Sequence, residues 1–165
     1  MEVQLKVTAT LTLDNKLAID ELYLVSTDEN CEKGQWMVVQ TDGSTPGKRY
    51  GHTMSSKGNY IFLFGGNNSS EITNDLWVLS IDKVPFKWER IEFTGPVPDC
   101  RVYHSSCVSD SKGDGSMMLI FGGRSKDQAS QNDLWTLFKR ANSTWEWVRA
   151  DYAKDTAPAP RYQVI

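Results

Sequence analysis

Two segments are continuously apolar for the length of a strand and stop at paired glycines: Ile61-Phe62-Leu63-Phe64-Gly65-Gly66 and Met118-Leu119-Ile120-Phe121-Gly122-Gly123. An uninterrupted apolar run of this length predicts a strand buried on both faces. The glycines predict positive φ and close backbone approach where the strand ends. Residues 3 to 13 read differently. Val3, Leu5, Val7, Ala9, Leu11 and Leu13 alternate with Gln4, Lys6, Thr8, Thr10 and Thr12, which predicts a strand with one apolar face. Asp14-Asn15 then reads as a turn.

The two glycine-terminated runs head a longer repeat. Each is followed by Asn-Asp-Leu-Trp, at 74–77 and at 132–135, and then by another tryptophan, Trp88 or Trp147. A turn-rich stretch next leads to Pro-x-x-Arg, ending in Arg101 and Arg161, and the same junction occurs earlier at Arg49. The arginines recur roughly every 50 to 60 residues, the period of a kelch repeat. Histidines follow the first two, as Arg49-Tyr50-Gly51-His52 and Arg101-Val102-Tyr103-His104. In the second repeat the pattern predicts strands at 52–56, 60–64, 76–80 and 87–93, with a tight turn at Lys57-Gly58-Asn59. The third repeat follows suit with a longer first turn at 109–115. The first is degenerate: 20–25 matches the Asn-Asp-Leu-Trp strand, with Tyr23 at the place of Trp77, and 35–39 matches the Trp88 strand.

The expected fold is therefore all-β, a partial kelch β-propeller of about three four-stranded antiparallel blades, with no helix. Its divisions are a degenerate blade at 1–45, blades at 46–97 and 98–157, and the start of a further repeat at 158–165. Each Trp on a third strand is expected to press a large apolar face on the neighbouring blade and to need a partner for its N–H. An open arc leaves blade faces uncovered. Either it belongs to a larger propeller, or it self-associates as a homo-oligomer through exposed blade edges. In the second case the strand at 161–165 would complete a partner's first blade.

Composition narrows the class. The chain has 165 residues, 39% hydrophobic and 24% charged, an ordinary globular composition with room for one domain and a sizeable core. A net charge of −3 argues against a nucleic-acid partner. No run approaches membrane-spanning length, and Met1-Glu2-Val3-Gln4-Leu5-Lys6 lacks a signal-peptide core, so no membrane role is expected. The 3 cysteines, Cys31, Cys100 and Cys107, lack disulfide or metal spacing. An intracellular location, cytoplasmic or nuclear, fits them best. Glycosylation-type triplets at Asn67, Asn68 and Asn142 are then chance.

The combination of diglycine, Asn-Asp-Leu-Trp and Trp strand identifies the chain as a kelch-repeat sequence. A narrower resemblance rests on Pro-x-x-Arg49-Tyr50-Gly51-His52, Phe86-Lys87-Trp88-Glu89-Arg90, Trp145-Glu146-Trp147 and Pro158-Ala159-Pro160-Arg161-Tyr162-Gln163. These resemble the N-terminal region of the kelch-like-domain serine/threonine protein phosphatases of plants and alveolate protists, over about residues 40 to 163. The resemblance implies a regulatory, targeting domain of such a phosphatase, with a protein partner or phosphoprotein substrate. That family's catalytic half would use a two-metal centre. Its motifs, of the type Gly-Asp-x-His-Gly and Gly-Asn-His-Glu, do not occur here, so no catalytic residue and no cofactor is assigned to this chain. The alternatives are a kelch adaptor with no attached phosphatase and a kelch-fold oxidase, which would need copper ligands.

The candidate chemistry is sparse. His52 and His104 occupy one repeat position in adjacent blades, which favours structural imidazoles over a metal pair. Arg49, Arg101 and Arg161 could ring a phosphate, but capping blade carbonyls accounts better for their recurrence. Cys107, near His104, reads as a small core residue rather than a nucleophile. Asp110 and Asp114 read as turn residues rather than calcium ligands. The residues that do not repeat are more informative. Asn67, Asn68, Arg124 and Lys126 stand in polar loops that differ between copies, where a rigid scaffold commonly carries its binding groups. Arg124 and Lys126 are the foremost candidates for partner contact.

Overall fold

The computed structural model describes residues 22–27, 34–109, 115–152 and 157–163. The expected strand at 3–13, the turn at Asp14-Asn15, Cys31, Asp110, Asp114 and Val164 lie outside the described residues. Everything regular among the described residues is strand.

The first blade contributes β1 (Leu22–Thr27) and β2 (Gly34–Val39), an antiparallel pair. These are the two strands expected from the matches at 20–25 and 35–39. The chain then makes a short strand, β3 (Thr41–Asp42), which crosses to the second blade. That blade contains β4 (Thr53–Lys57), β5 (Tyr60–Asn67), β6 (Ile72–Ser80) and β7 (Phe86–Ile91). β3 pairs parallel with β7, so the sheet has 5 strands in the order β3-β7-β6-β5-β4 rather than the four expected. A two-residue ladder follows between β8 (Arg101–Val102) and β11 (Arg124–Ser125). The third blade is β9 (Ser105–Val108), β10 (Ser116–Phe121), β12 (Leu134–Lys139) and β13 (Trp145–Arg149), a 4-stranded sheet in the order β13-β12-β10-β9.

β5 is apolar throughout because both of its faces are interfaces. Ile61 and Leu63 pack with Trp77, Leu79 and Trp88 on one face. Phe62 and Phe64, both at 0% exposure, turn the other way and meet Met118, Ile120, Trp135, Leu137 and Trp147 of the third blade. The main core thus lies between blades rather than within one. Each buried aromatic ring of this kind is worth roughly 2–3 kcal/mol of transfer free energy. The third blade shows the other side of the same rule. Leu119 and Phe121 stand where the second blade has Phe62 and Phe64, yet they are only half-buried, because no further described blade covers them.

The diglycines act differently from the expectation in one copy. Gly65 and Gly66 lie inside β5, where the pairing with β6 shifts register, so they form a bulge rather than a strand end. At Gly122-Gly123 the strand does end, at Phe121. The need for glycine is steric in both. A Cβ on Gly66 would stand 2.9 Å from the Cβ of His52, and one on Gly123 2.8 Å from that of His104, at φ values of +95° in each case.

Candidate functional site

In the second and third blades, the arginine-headed junction builds a recurring buried clamp onto the blade that follows it. Arg101 is fully buried and donates from Nη1 to the Gly122 carbonyl at 2.9 Å and to Asp133 Oδ1 at 2.7 Å, and from Nη2 to Asp133 Oδ2 at 2.9 Å. Arg49 repeats this with Gly65 O at 2.9 Å and with Asp75 at 2.8 and 3.1 Å. Each aspartate also accepts the indole N–H two residues on, Trp77 at 2.6 Å and Trp135 at 2.7 Å. The tryptophan N–H therefore has the partner it was expected to need. Burial pushes the Asp75 and Asp133 carboxyls up, but the hydrogen bonds and charge of Arg49 and Arg101, together with the indoles, hold both below the usual carboxylate value.

Capping of blade carbonyls was only half of the arginine's role. The aspartate of Asn-Asp-Leu-Trp is the other half, and its recurrence with the arginine at matching repeat positions was the available signal. The third arginine is different. Arg161 is exposed, and its Nε donates only to the nearby Ala159 carbonyl at 3.0 Å. Its backbone is nonetheless docked as in the earlier repeats, with Gly123 N donating to Arg161 O at 2.9 Å and Gln163 N to Tyr103 O at 2.9 Å. Arg49 and Arg101 are consumed inside the protein and are not presented to a ligand.

The histidines wedge behind the diglycines. His104 shares a 2.7 Å hydrogen bond between Nε2 and the Thr53 hydroxyl of the neighbouring blade, and its ring meets Phe64 edge-on at 5.4 Å. Burial, and then the Arg101 charge and His52, lower its pKa to about 3. Burial and Arg49 lower that of His52 to about 4. Both therefore stay neutral at ordinary pH. The blades are joined further along the same strands by Ser55 and Ser106, whose hydroxyls are 2.7 Å apart. Lys57 Nζ spans the same gap to the Ser116 carbonyl at 2.7 Å.

Cys107 corrects the expectation of a small core residue. It is exposed, because β9 pairs it with Leu119 on the uncovered face of the third blade. Cys100 is half-buried. Burial pushes its thiol up, and Lys126 and Glu71 both act on it electrostatically, so residues of two successive loops lie within reach of one group.

The four loop candidates divide. Asn67 and Asn68 spend their side-chain oxygens on their own turn, Asn67 accepting from Ser69 N at 2.8 Å and Asn68 from Ser70 N and Glu71 N, both at 3.0 Å. Lys126 is exposed in the turn after β11. Arg124 lies between two rings, its guanidinium carbon 5.8 Å from the centroid of Tyr103 and 5.4 Å from that of Tyr162. Neither tyrosine was singled out from sequence as a neighbour of Arg124, since the contact joins three separate segments of chain.

Antiparallel sheets packed on one another through Trp-bearing strands, each tied internally by an Arg–Asp clamp, define a kelch-type β-propeller segment. The chain belongs to the Attractin/LZTR1 β-propeller family, whose model matches residues 18–162. It is similar to the serine/threonine-protein phosphatase BSL2 of Arabidopsis thaliana, 29% identical over 148 residues, which cover 89% of this chain and 14% of that protein. Dynein regulatory complex subunit 7 of Chlamydomonas reinhardtii is 29% identical over 143 residues, 82% of this chain and 12% of that protein. Adagio-like protein 3 of Oryza sativa subsp. japonica is 31% identical over 141 residues, 84% of this chain and 21% of that protein. The chain thus spans a small part of each relative's length. What it shares with the phosphatase is a propeller segment and not a catalytic part.

Proposed function

We propose that this chain is a protein-interaction and regulatory module, the targeting part of a serine/threonine protein phosphatase, which holds a protein partner or phosphoprotein substrate near a catalytic domain carried elsewhere. The observation that carries the reading is the division of labour among its polar groups. The recurring ones are committed to the scaffold itself: Arg49 to Asp75 and Arg101 to Asp133 inside their own blades, His104 to Thr53 across two blades, and His52 against Gly66. What differs between blades is confined to exposed or half-buried loops. Metal chemistry, on this reading, belongs to the catalytic domain. The Pro-x-x-Arg and Trp-Glu signatures, and 89% coverage by a phosphatase relative, favour that parent protein. A location in the cytoplasm or nucleus goes with it.

Reading the parent message beyond the Ile165 codon tests the proposal. Further repeats leading into Gly-Asp-x-His-Gly and Gly-Asn-His-Glu support it, and another downstream domain overturns the phosphatase part. A kelch adaptor is the second reading. It is favoured by relatives of similar identity whose names denote no phosphatase, such as the dynein regulatory subunit and the Adagio-like protein. Self-association is a further component of the proposal, through the half-buried Leu119, Phe121 and Leu134 on the third blade. Sedimentation equilibrium on this chain would give a dimer mass if that face pairs with a second copy.

A further inference from the structure

We infer that Arg124, with Tyr50, Tyr103 and Tyr162, forms a binding site for an extended peptide that carries an oxyanion, the carboxylate of an acidic residue or the phosphoryl group of a phosphorylated one. The inference rests on the interaction-module reading and gives it a location and a ligand chemistry.

Arg124 is an arginine without a carboxylate. Arg49, Arg90, Arg101 and Arg140 each pair with an acidic side chain. No acidic group pairs with Arg124 among the described residues. Its Nε is covered and has no hydrogen-bond partner, and the residue as a whole is half-buried. The rings of Tyr103 and Tyr162 flank the guanidinium within the range of cation–π attraction. They restrict the side chain before any ligand arrives, so less rotamer entropy remains to be lost on binding. A planar fork presented this way suits bidentate pairing with carboxylate or phosphate.

Around this cation the rings continue. Tyr50 and Tyr103 lie 6.4 Å apart, so the strip runs Tyr50, Tyr103, Arg124, Tyr162 across three successive junctions. Ring faces on both sides of a single cation match an extended chain, which advances roughly 3.3 Å per residue and can place an oxyanion centrally with apolar side chains beside it.

The strip is not an inevitable product of the repeat. The second blade has Asn67 at the position of Arg124, immediately after its diglycine. Tyr103 occupies a left-handed backbone position, φ +58°, where the preceding repeat uses Gly51 at φ +68°. A bulky ring there carries backbone strain, as Gln163 does at the equivalent place, and it packs over Gly51, where a Cβ would stand 3.2 Å from the ring. Besides that contact, the ring presents surface to Tyr50 and Arg124.

The test is a titration of the isotope-labelled chain, read on the shielded Nε–H resonance of Arg124 and on the backbone amides. The probes are acetyl-Leu-Thr-Glu-Thr-Leu-amide and its phosphoserine and glutamine counterparts in place of the glutamate. Saturable shifts of the Arg124 resonance with the first two probes, and not with the glutamine peptide, are expected. The stronger of the two identifies the natural oxyanion. Arg124→Gln should weaken binding about tenfold or more, the scale of a charged hydrogen-bonded contact. Tyr103→Gly relieves the backbone, so this variant should stay folded and lose binding several-fold. Equal binding of the glutamine peptide, or undiminished binding by Arg124→Gln, overturns the site. Shifts confined to Asn67–Glu71 also overturn it, while leaving an interaction module in place. No shift with any probe at millimolar concentration overturns the inference and does not touch the phosphatase assignment, which the parent message decides.

Discussion

Mild acid should unfold this protein through its histidines. The chain contains only 2, His104 buried and His52 half-buried, and both sit in neutral form behind the diglycines. Their pKa values fall from 6.5 in an unfolded chain to about 4 and about 3. A depressed histidine pKa means that the unfolded state binds protons first as pH falls. The stability is then fully present above pH 6.5 and is lost progressively below it, until the folded values are reached. A pH of 5 lies about 1.5 units below the unfolded pKa of each group and still above both folded values. The penalty is therefore about 2 kcal/mol per histidine, about 4 kcal/mol together. This figure depends little on the exact folded pKa, because at pH 5 the folded forms are almost wholly neutral. Urea unfolding followed by tryptophan fluorescence reads it directly. With a slope of about 2 kcal/mol/M the midpoint should fall by about 2 M between pH 8 and pH 5. Asp75 and Asp133 contribute in the opposite sense of charge but the same direction. Their lowered pKa values give stability that is present above about pH 4 and lost below it, outside this window. A midpoint that stays constant from pH 8 to pH 5 would refute the reasoning. So would an undiminished pH dependence in the His52→Gln, His104→Gln double variant.

Other perturbations separate buried from exposed versions of the same chemistry. Asp133→Asn strands the fully buried Arg101 and should cost about 3–5 kcal/mol, whereas Glu146→Gln, at the exposed Arg140 pair, should cost less than about 1 kcal/mol by denaturant titration. Gly122→Ala places a Cβ 2.6 Å from the Arg161 carbonyl at φ +68°, so hydrogen exchange should show residues 158–163 released from the third blade; unchanged protection at Gln163 N would contradict the docking. Cys107 should react with a maleimide well before Cys100, whose thiol is half-buried and has a raised pKa, and peptide mapping of a timed reaction gives the order.

Much of this architecture was legible in the chain itself. The apolar runs, the paired glycines and the recurring tryptophans determined strands, repeat length and the all-β class, because strand periodicity and backbone freedom are properties of neighbouring residues. They also marked Arg49, Arg101, His52 and His104 as structural, since a group that recurs with the repeat serves the repeat. Tertiary structure alone decided what those groups meet. The aspartate that receives each arginine lies 26 or 32 residues away. The addition of β3 to the edge of the second blade, the exposure of Cys107 and the self-capping of Asn67 and Asn68 depend on which face and which loop the folded chain presents. Arg124 is the clearest case. In the sequence it is one polar residue after a diglycine, and Tyr103 and Tyr162 belong to two separate junctions. Only packing of successive junctions brings the two rings to either side of it. The physical reason is range: backbone preference acts within a few residues, whereas charge pairing, ring stacking and burial act through space.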